Sequence, residues 1–194
     1  MNDMSEVKKH FGKIAVLFPG IGYTCDRPLL YYAGKLAARN GYEIVPVPYG
    51  NFPSGVKGNH EKMQQAFYSA LEQAEEILKD IDWTKYAEIL FISKSVGTIV
   101  SSAYARKHQL QVKNILLTPV KDTFSFADGN AIAFHGTSDP WAETNDIAES
   151  CKKLNIPLYL TENANHSLET GSVMTDIRNL SRIMDIISKF IFRY

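Results

Sequence analysis

The sequence lacks the features that mark secreted, membrane-spanning and nucleic-acid-binding proteins. Its 194 residues include only two cysteines, Cys25 and Cys151, so neither a disulfide framework nor a metal site is predicted, and a cytoplasmic location is favoured. No apolar run reaches the length of a membrane span, and residues 1–13 lack the apolar core of a signal peptide. Lys and Arg together number 21, as do Asp and Glu, and no basic block occurs, which argues against nucleic acid and membrane surfaces as partners. The expected partner is a small molecule.

Strand-like and helix-like segments alternate along the chain. Strands are predicted at residues 13–18, 43–47, 88–92, 114–118, 131–135 and 157–161. Helices are predicted at residues 28–40, 96–107 and 143–154, along the apolar positions from Met63 to Ile81, and from Val173 to Ile191. Strands joined mostly by helices predict a three-layer α/β/α sandwich with a six-stranded, mainly parallel sheet. The length suits a single domain spanning residues 1–194.

The most informative stretch is the junction between the third strand and the next helix, Ser93-Lys94-Ser95-Val96-Gly97. No loop separates the two elements, so Ser95 is forced into a strained backbone conformation that requires small neighbours at Ser93 and Gly97. Such a turn lifts the Ser95 hydroxyl above the sheet and aims the Val96 N–H at the place where an oxyanion would form. Ser95 is therefore predicted to be a nucleophile, and an ordinary strand-helix junction is the alternative.

This stretch resembles the G-x-S-x-G nucleophile elbow of the α/β-hydrolases, with Ser93 in place of the first glycine. The loops at residues 135–141 and 162–168 resemble the acid and histidine loops of that family, and they contain Asp139 and His166. The three residues follow the family's chain order of Ser, Asp and His. The resemblance implies a minimal α/β-hydrolase core with strand order 2-1-3-4-5-6, no cap domain, and a triad of Ser95, Asp139 and His166.

The proposed chemistry explains these residue types. A serine hydroxyl is a poor nucleophile until His166 accepts its proton, and Asp139 would hold the imidazole in the right tautomer. Asp122 is the rival acid, because some family members carry the acid after the preceding strand. His135 ends a strand and is predicted to support the acid loop rather than to act as the base.

The remaining site residues are assigned around this triad. By resemblance, the second oxyanion donor is the Ile21 backbone N–H, with Gly22 and Tyr23 as alternatives. Tyr23 and Trp141 flank the predicted site and are candidate walls of a substrate pocket, or simply core aromatics. Lys94 could favour an anionic substrate, but a solvated or structural charge is the simpler interpretation.

Other functional classes match the sequence less well. The glycines of Gly20-Ile21-Gly22 suggest a dinucleotide fingerprint, but Cys25 replaces the third glycine and no acid for a ribose follows the second strand. Residues 50–57 do not form a phosphate-binding loop motif. The sequence therefore predicts a serine hydrolase that cleaves an ester, a thioester or an amide without metal or cofactor. A non-catalytic binding protein on the same fold is the alternative, and the sequence selects neither an acyl group nor an oligomeric state.

Overall fold

The sheet of the molecule has six strands. The computed structural model describes residues 12–52, 54–56 and 59–192, so most of the polar N-terminal segment and the lysine of residues 50–57 lie outside the described residues. The strands are β1 (Gly12–Phe18), β2 (Tyr42–Pro46), β3 (Tyr86–Lys94), β4 (Lys113–Leu117), β5 (Ala131–Gly136) and β6 (Leu158–Thr161). Their order is β2-β1-β3-β4-β5-β6, and every neighbouring pair is parallel. The predicted strand order is confirmed.

Helices connect the strands. They are α1 (Pro28–Arg39), α2 (His60–Leu78), α3 (Val96–Lys107), α4 (Thr144–Lys153) and α5 (Val173–Ile191), with 3-10 helices at Trp83–Lys85 and Lys121–Ser125. Helix α2 ends three residues before the predicted position, because the apolar periodicity continues to Ile81 through a tighter turn in which Ile81 N–H donates to Leu78 O. None of these helices, across the described ranges, is both long and apolar enough to cross a bilayer.

The helices cover both faces of the sheet. One face packs against α1 and α5 through a buried cluster that includes Leu17, Ile92, Leu30, Ala33, Ile183 and Ile187. The opposite face packs against α2 and α3 through Val16, Phe91, Ala74, Val100 and Tyr104, and against α4 through Leu116, Ala133 and Ile147. Neighbouring residues of a strand point to opposite faces, and helices cover both faces, so the strands are apolar along most of their length. Full burial of each Leu, Ile or Phe side chain stabilises the folded state by about 1.5–3 kcal/mol relative to leaving it exposed.

The strand order places β1 and β3 side by side at the centre of the sheet. The connection from β1 leads to β2 on one side, and the chain then crosses over to β3 on the other side. Ligands of open α/β sheets bind beyond the carboxyl ends of the strands at such a reversal. The loop after β1 and the junction between β3 and α3 meet at this point.

The first turn of α3 approaches the end of β1 very closely. A Cβ atom added to Gly97 would lie 2.3 Å from the Phe18 carbonyl oxygen and 2.5 Å from the Pro19 carbonyl oxygen. Both neighbours are backbone atoms at the end of β1, so they cannot move as a side chain could. Only glycine fits at this position, which agrees with its predicted role in the elbow.

Replacement of Gly97 by alanine should therefore destabilise the protein severely. We expect Gly97→Ala to lower the free energy of unfolding by about 3 kcal/mol or more, because overpacking here displaces backbone rather than side chain. Gly50→Ala is the matched control, since a Cβ at Gly50 meets nothing within 4 Å, and it should change stability by about 1 kcal/mol at most. Chemical denaturation of the three proteins measures both effects, and equal stability of the two variants would contradict the expectation.

Candidate active site

Ser95 lies at a sharp turn between β3 and α3. Its backbone angles are φ 56° and ψ −125°, a conformation that side-chain-bearing residues rarely adopt. Such strain costs about 1–3 kcal/mol and persists only where surrounding contacts enforce it. Here Ser95 N–H donates to Leu117 O at 3.0 Å, and Thr98 donates to Ser95 O from both its N–H (2.9 Å) and its Oγ1 (2.6 Å). The hydroxyl of Thr123 lies 2.6 Å from Thr98 Oγ1 and extends this support.

Ser93 occupies the position of the first glycine of the elbow pattern. It is fully buried, and its hydroxyl donates to the Ile115 carbonyl oxygen at 3.2 Å. A buried hydroxyl is costly only when it has no partner. The neighbouring strand β4 supplies that partner, so the turn accommodates serine in place of glycine.

Three side chains from separate loops meet at this turn. His166 Nε2 lies 2.7 Å from Ser95 Oγ, and His166 Nδ1 lies 2.7 Å from Asp139 Oδ2. The second oxygen of Asp139 accepts a hydrogen bond from Trp141 N–H at 2.8 Å. The structure therefore brings together the three residues that the sequence singled out. The rival Asp122 is exposed in the Lys121–Ser125 helix, and no hydrogen bond links it to His166 within the described residues.

The acid and histidine loops are fixed to each other through their backbones. A Cβ atom at Gly136 would lie 2.3 Å from the Ala164 carbonyl oxygen. The same oxygen accepts a hydrogen bond from Ser138 N–H at 2.9 Å. Since Asp139 and His166 each lie next to these contacts, their hydrogen bond is set by rigid backbone rather than by flexible side chains.

Burial and nearby charges shift the pKa values of His166 and Asp139. Burial lowers the pKa of His166, and the hydrogen bond to Asp139 opposes this effect. The positive charge of Lys94 lowers the pKa further, so the pKa of His166 falls below its ordinary value. Burial alone would raise the pKa of Asp139, but the hydrogen bonds from His166 and from Trp141 N–H outweigh burial and hold it low. Near neutral pH the pair is thus a neutral imidazole beside a carboxylate, which is ready to accept a proton.

The two candidate aromatic walls differ in their surroundings. Trp141 stacks on His166 with ring centroids 5.2 Å apart and planes inclined by 20°, so it holds the imidazole from its face. Tyr23 is largely buried, and its hydroxyl accepts a hydrogen bond from Leu29 N–H at 3.2 Å. It lines a cavity of about 390 Å³ together with Leu168 and other apolar residues of α1 and α5. Contact with substrate remains a prediction for both aromatics.

The turn after β1 and the first residue of α3 contain the two candidate oxyanion amides. Gly20 and Tyr23 exchange a pair of backbone hydrogen bonds at 3.0 and 3.2 Å, which forms a tight turn with Gly22 at φ 71°. A Cβ atom at Gly20 would lie 3.0 Å from Ser95 Cβ, so this turn touches the elbow. Within the described residues, neither Ile21 N–H nor Val96 N–H donates a hydrogen bond. Tyr23 N–H is already bonded, which leaves Ile21 or Gly22 as the second candidate donor.

Of the two simpler interpretations of Lys94, a solvated and a structural charge, the structure excludes the solvated one. Lys94 is 1% exposed rather than solvated, and its ammonium group lies 5.0 Å from the centroid of the Tyr23 ring. Burial lowers its pKa to about 7, against the opposing charges of Asp139 and Glu169. Strand alternation could have predicted this burial, because Lys94 lies on the same face of β3 as Ile92, the face that α1 and α5 cover.

A second buried histidine lies against the acid. His135 is fully buried, with Nε2 3.2 Å from Thr144 Oγ1 and Nδ1 3.7 Å from Asp139 Oδ2. Burial lowers its pKa, so it is neutral at pH 7. It has no contact with Ser95 among the described residues, and its position fits a supporting role in the acid loop.

The alternative sites found in the sequence do not assemble. Helix α1 begins only at Pro28, so its N-terminal amides do not follow the Gly20-Ile21-Gly22 turn directly. Burial, with a smaller contribution from Asp26, raises the pKa of the Cys25 thiol to about 11, which disfavours a reactive thiolate. Among the described residues, no three His, Cys, Asp or Glu side chains are grouped to bind a metal ion.

Known structures share this fold. No family model and no curated protein matches the sequence. An α/β serine hydrolase homologue from Coxiella burnetii matches with a TM-score of 0.64 at 14% identity over 92% of this chain and 84% of that one. Est1E from Butyrivibrio proteoclasticus, with ferulic acid bound, matches with a TM-score of 0.64 at 10% identity over 92% and 87%. A Xanthomonas campestris α/β serine hydrolase without a lid matches at 0.58 and 13% identity over 92% and 80%. The chain therefore has the α/β-hydrolase fold.

The charge of Lys94 should be detectable through the titration of His166. Removing this buried cation in Lys94→Met should raise the His166 pKa, because a nearby positive charge disfavours the imidazolium. Lys35→Met is the matched control, since Lys35 is exposed and lies 5.3 Å from the Tyr31 ring centroid. NMR titration of the His166 ring measures the pKa in each protein. An unchanged or lower pKa in folded Lys94→Met would contradict the electrostatic account.

Proposed function

We propose that this chain is a serine hydrolase of the carboxylesterase or thioesterase type, which cleaves a small ester or thioester through an acyl-enzyme. The proposal rests on the unbroken path from Ser95 Oγ through His166 to Asp139, with both contacts at 2.7 Å. These groups in this order are those that activate a hydroxyl for attack on a carbonyl carbon. A non-catalytic binding protein on the same fold would require no such alignment.

The first half-reaction forms the acyl-enzyme. Ser95 Oγ attacks the carbonyl carbon while its proton passes to His166 Nε2, and the ionised Asp139 stabilises the imidazolium. The negative charge that develops on the carbonyl oxygen is accepted by the N–H groups of Val96 and Ile21. The bond to the leaving group then breaks, and His166 gives its proton to the departing alcohol or thiol.

The second half-reaction regenerates the enzyme. A water molecule attacks the acyl group on Ser95 and passes its proton to His166 Nε2. The tetrahedral intermediate uses the same two amides, and its collapse releases the carboxylic acid as His166 returns the proton to Ser95 Oγ. All bonds made and broken are accounted for by these side chains and water, so the reaction calls for no metal ion and no cofactor.

The similar structures and the local architecture support this assignment. The Pyrococcus furiosus match is named an esterase, and Est1E was observed with ferulic acid, a carboxylic acid, bound. In this chain β4 and β5 are joined by residues 118–130, whose regular structure is a 3-10 helix. A connection this short supports a single domain with an open site and no cap. We retain a small molecule as the partner and the cytoplasm as the location.

Ser95 should react selectively with a fluorophosphonate. Only a serine activated by a base beside oxyanion donors attacks this probe readily. We expect one label per chain on Ser95, full loss of labelling in Ser95→Ala, and normal labelling in Ser181→Ala, which removes an exposed serine on α5. Mass spectrometry of digested protein locates the label. No label on folded wild type would favour the non-catalytic alternative.

Asp139 and Asp122 can be separated by turnover. Asp139→Asn should keep the fold but hold His166 in the wrong tautomer, which in the serine-protease template costs about 10⁴-fold in kcat. Asp122→Asn should lose no more than a few-fold. Hydrolysis of p-nitrophenyl acetate and thermal melts of both variants make the comparison. If folded Asp139→Asn retains normal turnover, another group orients the histidine.

A further inference from the structure

A second cavity lies on the side of the elbow away from Tyr23. It has a volume of about 210 Å³ and lies between α2, the first turns of α3 and the segment after β4. Its apolar lining includes Met63 and Phe67 of α2, Ile99 of α3, and Phe126. The rings of Phe67 and Phe126 stack with centroids 6.0 Å apart and planes inclined by 29°.

The apolar lining of the cavity packs against residues of the candidate oxyanion site. This lining belongs to one cluster, in which Met63, Phe67 and Phe126 pack against the buried Val96, Ile99 and Val120, and Ile21 also joins this cluster. Val96 and Ile21 are the residues whose amides would bind the carbonyl oxygen. Ile99 follows Val96 by one helical turn on the same face. The cavity is therefore separated from the two candidate amides by no more than the side chains of this cluster.

The direction of proton transfer separates the two halves of the substrate. The leaving oxygen or sulfur must receive a proton from His166 Nε2, so the leaving group lies on the His166 side. Trp141 stacks on that imidazole, and neither residue belongs to the cluster or lines the cavity. The acyl chain occupies the remaining direction from the carbonyl carbon, which leads along Val96 and Ile99.

We infer that this cavity binds the acyl chain, and that the enzyme acts on esters or thioesters of a neutral, apolar acid with roughly six to eight carbon atoms. This inference rests on the proposed hydrolase function. A methylene takes up about the volume of a water molecule, roughly 30 Å³, so a cavity of about 210 Å³ holds such a chain or one aromatic ring. Asp122 is the charged side chain that borders it within the described residues, and its carboxylate disfavours an acyl group that ends in a second carboxylate.

A series of p-nitrophenyl esters tests the inference, because the leaving group stays constant while the acyl chain grows. We expect kcat/KM to rise from acetate to hexanoate and to fall at dodecanoate. Met63→Trp partly fills the cavity, and it should lower kcat/KM for hexanoate at least about tenfold while acetate changes little. Phe126→Ala enlarges the cavity and should move the optimum to longer chains, which provides a second readout if Met63→Trp folds poorly.

The control variant is Ile177→Trp, which projects into the cavity beside Tyr23 instead. It should leave the ratio of hexanoate to acetate turnover unchanged. If this ratio falls in Ile177→Trp and not in Met63→Trp, or if wild type turns over all chain lengths equally, the acyl assignment is wrong while the hydrolase proposal stands. If folded wild type hydrolyses no ester or thioester of the series, both proposals are overturned.

Discussion

The whole site depends on the contact between the first turn of α3 and the end of β1. At Gly97 the two backbones approach so closely that a single additional carbon would overlap with the Phe18 carbonyl oxygen. This contact brings the turn after β1, which contains the Ile21 amide, against Ser95. The second candidate amide, that of Val96, directly follows Ser95 in the chain. Because the two elements are held backbone to backbone, the positions of these amides relative to Ser95 are fixed by the fold.

Much of the fold could be predicted from the sequence, because buried parallel strands and amphipathic helices leave strong periodic signals. Helix α3 has the bounds expected for it, since the elbow fixes its start. The observed ends of an element differ from the predicted ends where the backbone hydrogen bonds do not follow the apolar pattern of the sequence. Strand β3 extends to Tyr86–Lys94, beyond its apolar run, because β1 and β4 pair with its polar ends. Past α2, Ile81 keeps the helical period although its backbone is in a turn.

Site residues could be predicted from the sequence where a local motif determines the backbone geometry. They were harder to predict where contacts with distant segments determine the surroundings of a side chain. The turn at Ser95 and the loops of Asp139 and His166 follow from strand ends, which the sequence marks. Lys94 and Trp141 were harder, because their surroundings come from distant segments. The ammonium group of Lys94 lies near the ring of Tyr23, and the indole of Trp141 stacks on the imidazole of His166.

The pairing of β1 with β3 has a consequence for folding. All of α1, β2 and α2 lies between these two strands in the chain, so closing their contact carries a large loop entropy. The turn that contains Ile21 reaches Ser95 only when β1 pairs with β3 and the first turn of α3 packs against the end of β1. A partly folded chain that lacks this pairing also lacks one of the two candidate oxyanion amides. The candidate site is therefore complete only when the long-range sheet has formed.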